Sequence, residues 1–261
     1  LRLHLSLLLG AALLPSAARA GAWTMPDGAG QVITTFTASQ ATQSFDSGGS
    51  LQSTPRYSKY ELQPLLEYGL SDWLTAMVSP GLQRVEVGAP VDARRSGLGY
   101  SELGARARLM QGDVWVLSGQ GTVRVPGTSD TGNPAAIGYT GVEIDVRGLF
   151  GVAFTAIDRP AFIDVQVAQR FRTGDPPNET RVDLTFGLRT AQQWLLLAQA
   201  FNVISQGSGA VFSAYRYHKL QASAIYSLNA QWALQGGVFT TVDGSNSLQE
   251  NGLVLAAWYR F

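Results

Sequence analysis

Between residues 161 and 173 the chain alternates: Ile163, Val165, Val167 and Phe171 fall on one parity, and Asp164, Gln166, Arg170 and Arg172 on the other. The segment from 179 to 190 repeats this, with Val182, Leu184, Phe186 and Leu188 set against Arg181, Asp183, Thr185 and Arg189. A period of two is that of a β-strand, whose successive side chains point to opposite faces. Charges packed into an apolar core or against lipid would be strongly destabilising, so the polar parity must meet water, either in a wet lumen or on a solvated sheet face.

Alternation bounded by turn signals predicts twelve strands, near 31–40, 57–69, 73–86, 99–111, 113–125, 139–150, 161–173, 179–190, 193–205, 214–227, 230–241 and 251–261. The connections differ in length from one side to the other. Ser71-Asp72, Gly112-Asp113, Ala191-Gln192 and Asn229 mark tight turns, whereas 41–56, 87–98, 126–138, 174–178, 206–213 and 242–250 read as longer loops rich in Gly, Ser, Pro or Asn. Short turns at one end and long loops at the other are the pattern of a transmembrane antiparallel up-and-down β-barrel, with the short set periplasmic.

The last strand supports this fold class. Leu253, Leu255, Ala257 and Tyr259 share a parity, and the chain ends on Phe261. Left as a free sheet edge, such a strand is an aggregation template; barrel closure removes the edge by pairing it with the first strand, Gln31 to Gln40. Tyr259 and Phe261 resemble the C-terminal signal that the outer-membrane barrel assembly machinery reads. Trp73, Trp115, Trp194 and Trp232 lie within a few residues of tight turns and Trp258 lies near the C-terminus, which predicts one interfacial aromatic rim in contact with outer-membrane lipids.

The same parity rule assigns further lumen-lining side chains. These are Lys59, Glu61, Gln63 and Glu67; Glu102, Arg106 and Arg108; Glu143, Asp145 and Arg147; and, among mixed neighbours, Lys219 and Gln221. Lysine and arginine number 19, as do aspartate and glutamate. Mixed charges on neighbouring strands about 4.8 Å apart most simply form cross-strand pairs, with selection of small solutes as a compatible second role. The balance gives no indication of nucleic-acid binding, and a charged fraction of 15% lies below the roughly 25% of soluble domains.

At the N-terminus, Arg2 and His4 precede an apolar run from Leu5 to Leu14, and Ala18-Arg19-Ala20 forms a small-x-small site. This predicts a signal peptide over 1–20 and a barrel over 21–261, exported by a Gram-negative bacterium. Without cysteine there is neither a disulfide nor a lipidation site. Candidate chemistry is sparse. Beyond the predicted signal peptide the one histidine is His218, placed on an outward parity near the long-loop end. A twelve-stranded outer-membrane phospholipase keeps its catalytic histidine there but follows it two residues later with serine, where this chain has Leu220. No metal-ligand spacing or phosphate-cradling glycine motif occurs, so the residues imply no cofactor, and a non-enzymatic role is expected.

Tyr57 to Pro80 reads Y-S-K-Y-E-L-Q-P-L-L-E-Y-G-L-S-D-W-L-T-A-M-V-S-P. Its hairpin, with Glu61, Glu67, Tyr68, Gly69, Leu70 and Asp72, resembles the outer-membrane barrel family named for the meta-pathway of phenol degradation. The stretch from Gly21 to Ile33 is similar to its XagA-like subgroup. The resemblance implies passage of aromatic or other small hydrophobic compounds across the outer membrane. Three readings stand open at this stage: a passive channel or uptake barrel with loops 41–56 and 126–138 controlling access, a closed structural barrel linked to surface polysaccharide or adhesion, and an outer-membrane hydrolase.

Overall fold

The computed structural model describes residues 21–127, 135, 141–209 and 212–261; the predicted signal peptide and most of loop 126–138 lie outside the described residues. Twelve antiparallel strands close on themselves. They are β1 (Gly30–Phe45), β2 (Leu51–Ser71), β3 in two halves (Leu74–Ser79 and Leu82–Val87) and β4 in two halves (Ala93–Leu98 and Tyr100–Gln111). There follow β5 (Trp115–Pro126), β6 (Glu143–Ala156), β7 (Arg159–Arg172), β8 (Glu179–Arg189), β9 (Trp194–Ser205), β10 (Arg216–Ser227), β11 (Trp232–Ser245) and β12 (Asn251–Arg260). Each pairs with its neighbours in sequence, and β1 pairs with both β2 and β12, so no sheet edge remains. The closing register runs from Gln31 opposite Arg260 to Gln40 opposite Asn251, the pairing expected for the C-terminal strand.

Large apolar residues point outward all round, including Leu103, Val146, Val167, Leu184, Val238 and Leu255. A surface this continuously apolar requires lipid rather than water. Turn chemistry explains where strands reverse. The β1–β2 hairpin ends on Asp46, which accepts hydrogen bonds from the Gly48 and Ser50 amides at 2.8 and 2.9 Å, with Gly49 at a φ of 87°.

Three departures from the sequence-based expectation have physical causes. The predicted loops 41–56 and 87–98 are largely strand, because their Ser, Thr and Arg residues still alternate; a bulge between Ala41 and Gln43 carries the β1–β2 ladder on to Phe45 and Leu51. The strands predicted at 139–150 and 161–173 run as Glu143–Ala156 and Arg159–Arg172, joined by a two-residue turn at Ile157 and Asp158 with φ of 51° and 56°. Such φ values normally call for Gly or Asn, so isoleucine hid this turn. The predicted strand 73–86 is broken at Pro80-Gly81. On its β2 side the ladder lapses between Leu62–Leu82 and Leu66–Val78, where the unchanged register sets Pro64 opposite Pro80. Neither proline has an N–H, so the wall carries a short gap in its hydrogen bonding.

Candidate functional site

The barrel interior is where the charged parities meet. On β6, Glu143 is almost fully buried and is paired with Arg124 of β5 and, at 3.1 Å, with Arg172 of β7. Arg172 also reaches Glu179 of β8 at 2.9 Å, and Arg170 lies 3.1 Å from Asp145. Arg147 spans two strands to Asp183 at 2.7 Å and binds Gln166 at 2.6 Å. Arg124 holds Glu102 at 2.7 Å, Arg106 pairs with Glu67 at 3.1 Å, and Lys59 with Glu61 at 3.2 Å. Arg181 lies 3.7 Å from Glu179, and Lys219 is paired with Glu250. Gln221 bonds Gln199 at 2.8 Å.

Other members of the expected set stand apart. Arg108 and Arg189 lie toward the tight-turn end and bond Gln111 at 2.6 Å and the Gln192 carbonyl at 2.8 Å. Gln63 is half-buried at the proline gap. Glu179, Arg124 and Glu250 were not among the expected residues. Arg124 shares the polar parity of Ser118, Gln120 and Thr122, a readable signal, whereas Glu179 sits at a strand start and Glu250 in a connection, where alternation gives no guidance. Tyr215, in the connection before β10, donates to Glu179 at 2.5 Å and accepts from Arg172 at 2.6 Å. Burial and the neighbouring Glu179 carboxylate push its phenol up, so it stays a neutral donor.

The tryptophans divide. Trp73, Trp194 and Trp232 are exposed and Trp115 half-buried, near the tight turns; Trp194 packs at a tilt against Tyr226 at 4.8 Å and Trp232 against Tyr259 at 4.6 Å. Trp258 does not join them. It is 5% exposed and packs inward on Ile33, Leu195, Ile225 and Ala233, donating its indole N–H to Gln235 at 3.1 Å. It lies on the parity opposite Tyr259, so proximity to the terminus alone was misleading. Phe261 is exposed, and its backbone closes on Gly30 through bonds of 2.8 and 3.0 Å.

Sequence reasoning also missed the segment preceding β1. Ala22 is fully buried: its N–H donates to Asp164 at 2.6 Å, and its carbonyl accepts from Ser118 at 2.6 Å. The Trp23 carbonyl accepts from Arg106 at 3.1 Å, and its ring meets Phe162 edge-on at 6.0 Å. The Met25 amide donates to Thr75 at 2.8 Å. These partners come from β3, β4, β5 and β7, so residues 21–25 lie across the lumen. On the long-loop side remains a cavity of about 430 Å³, and on the tight-turn side one of about 740 Å³ bordered by Met25, Pro26, Arg189 and Arg260.

His218 lies outside this interior. Its Nδ1 is 2.7 Å from the Asn202 side-chain oxygen, and its Nε2 is 3.9 Å from Asp243. These partners are an amide and a carboxylate, not the hydroxyl that an ester hydrolase needs.

A closed ring of twelve strands with an apolar outside and a charged inside has solved counterparts. It has the fold of an outer-membrane β-barrel. It is similar to an outer-membrane channel from Pseudomonas putida F1, at 15% identity and a TM-score of 0.79 over 94% of this chain and 100% of that one. The translocator domain of the autotransporter NalP from Neisseria meningitidis matches at 13% identity and a TM-score of 0.57, over 91% and 90% of the two chains. The NanC porin matches at 9% identity and a TM-score of 0.53, over 87% and 98%. No family model and no curated protein matches the sequence.

Proposed function

We propose that this chain is an outer-membrane channel that passes small solutes passively and that residues 21–25 act as its gate. The observation that carries this reading is the occluding segment. Its Met25 borders the cavity on the tight-turn side, and polar contacts with Asp164, Ser118, Arg106 and Thr75 hold it inside the barrel, contacts that water can replace. The lipid-facing wall and the C-terminal Tyr259 and Phe261 fit insertion by the barrel assembly machinery, and the run over 1–20 fits export. Cleavage after Ala20 would leave the Gly21 α-ammonium beside Asp164, a buried carboxylate that forms no ion pair with a described lysine or arginine. Gly21 lies so close to Asp164 that an added Cβ would collide with the carboxylate.

Planar-bilayer conductance and liposome swelling test the channel. The intact protein is expected to conduct weakly, while deletion of residues 21–25 or Asp164→Ala raises conductance several-fold. Absence of conductance and swelling in all three forms would sink the reading.

A second route suits apolar cargo, the class implied by the likeness of Tyr57–Pro80 to the phenol-degradation barrels. The Pro64–Pro80 gap opens between lipid-facing Leu62, Leu66, Val78 and Leu82, so an apolar molecule in the bilayer meets the weakest point of the wall there. Cross-linking β2 to β3 through cysteines at 64 and 80 should abolish uptake of a hydrophobic dye and leave ion conductance unchanged.

A further inference from the structure

We propose that the cavity on the long-loop side is a binding site for small organic anions, specifically a carboxylate carried on a flat apolar body. This rests on the channel reading, since it names the solute class that the outer half of the lumen takes up.

The asymmetry of its lining argues for it. Lys59, Arg124, Arg170, Arg172, Arg181 and Lys219 border the cavity against three carboxylates, Glu143, Glu179 and Glu250. All three carboxylates are buried and paired with these cations, Glu179 through Oε1 while its Oε2 has no hydrogen bond. The further acids that balance the cations, Glu61, Glu102, Asp145 and Asp183, do not border the cavity. A solute entering it therefore meets N–H donors in excess, in a partly desolvated space where charge-assisted hydrogen bonds are strong.

Arg181 is the most available donor. Its only ion-pair partner among the described residues is Glu179 at 3.7 Å, and its Nε is buried without a hydrogen-bond partner. With its side chain 21% exposed, the guanidinium remains within reach of a solute carboxylate. Tyr57, Tyr100, Tyr215 and Tyr217 also border the cavity and give it an aromatic lining, with Arg124 over the Tyr100 ring at 4.5 Å and Lys219 over the Tyr217 ring at 5.1 Å. The volume of about 430 Å³ suits a solute of benzoate size. The cavity below the occluding segment has the same bias: Arg189 and Arg260 border it, and no Asp or Glu side chain among the described residues does. An anion released past the segment would meet cations again.

Titration calorimetry on the full chain in detergent tests this with benzoate, benzyl alcohol and benzylammonium as matched probes. Benzoate is expected to bind roughly tenfold or more tightly than either analogue, the difference a charge-assisted pair supplies. Arg181→Gln should remove most of that preference and Arg181→Lys should keep part of it, while outward-facing Arg84→Gln leaves it intact; a heat-modifiable gel shift verifies folding in each. Equal binding of the three probes, or benzoate affinity unchanged in Arg181→Gln, would overturn the site. Binding needs no open path, so the readings fail separately: benzoate binding without swelling removes the channel and keeps the site, and swelling without a benzoate preference does the reverse.

Discussion

Two arcs of the same barrel interior are built on opposite chemistry. From β5 to β8, toward the long-loop end, the inward positions carry Arg124, Glu143, Asp145, Arg147, Arg170, Arg172 and Glu179, tied strand to strand by ion pairs. From β9 round to β1, at the tight-turn end, the inward positions are Leu195, Ile225, Ala233, Ala256, Trp258 and Ile33, an ordinary apolar cluster. Both arcs meet lipid outside with the same kind of residue. Level matters as much as arc, since β5 and β6 also bury apolar Val116 and Leu149 near their tight turns, and β9 and β10 carry Gln199, Lys219 and Gln221 inside further along. Where charges mark the inner parity the faces can be read directly; where both parities are apolar, burial has to be seen.

The largest expected effect comes from the charged arc. Glu143→Ala leaves Arg124 and Arg172 without their shared carboxylate and should destabilise the barrel by about 4 kcal/mol, read as a lower urea midpoint in lipid vesicles. An unchanged midpoint would mean that the ion pairs contribute only solubility to the lumen. On the apolar arc, Trp258→Ala removes a buried indole and should cost about 3 kcal/mol, whereas the exposed rim residue Trp73→Ala should cost under about 1 kcal/mol. Equal losses would put Trp258 back on the rim. Across the wall, Val167→Arg places a charge on the lipid face near mid-strand and should cost about 2 kcal/mol in the same assay, while Gln199→Arg on the inward parity should be near neutral. A reversed order would invert the face assignment.

The smallest effect lies outside both arcs, at the β1–β2 tip. The Ser50 amide, with Gly48 and Gln52, holds the Asp46 carboxyl below its ordinary 3.8. A depressed value contributes order that is complete above the ordinary pKa and lost as pH falls through the folded one. Gly48 and Ser50 amide resonances should therefore move at acidic pH, below about 3.8, and Asp46→Asn should abolish that titration. Both resonances staying fixed down to pH 2 would show that the cap does not form.

Much of this architecture was legible because a strand's period is short and its charges are conspicuous. Asp164, Gln166, Arg170 and Arg172 announced an inner face, and the tail from Leu253 announced closure on Gln31 to Gln40. What stayed hidden has no periodic signature. Ile157 turns the chain at a φ that isoleucine rarely adopts. Residues 21–25 form no strand, and their role depends on Asp164, Ser118, Arg106 and Thr75, dozens of positions away in sequence. Trp258 is a different case, since its parity already pointed inward and only its distance from the terminus suggested the rim.

The network around Glu143 has a mechanical side. One carboxylate on β6 grips guanidinium groups on β5 and β7, and Arg172 passes the grip on to β8, so four strands are stitched together from within as well as by their backbone ladders. That third of the cylinder is tied across its strands by side chains as well as by backbone. The Pro64–Pro80 gap lies outside it, so the barrel wall combines one heavily cross-tied sector with one seam where even the backbone ladder lapses.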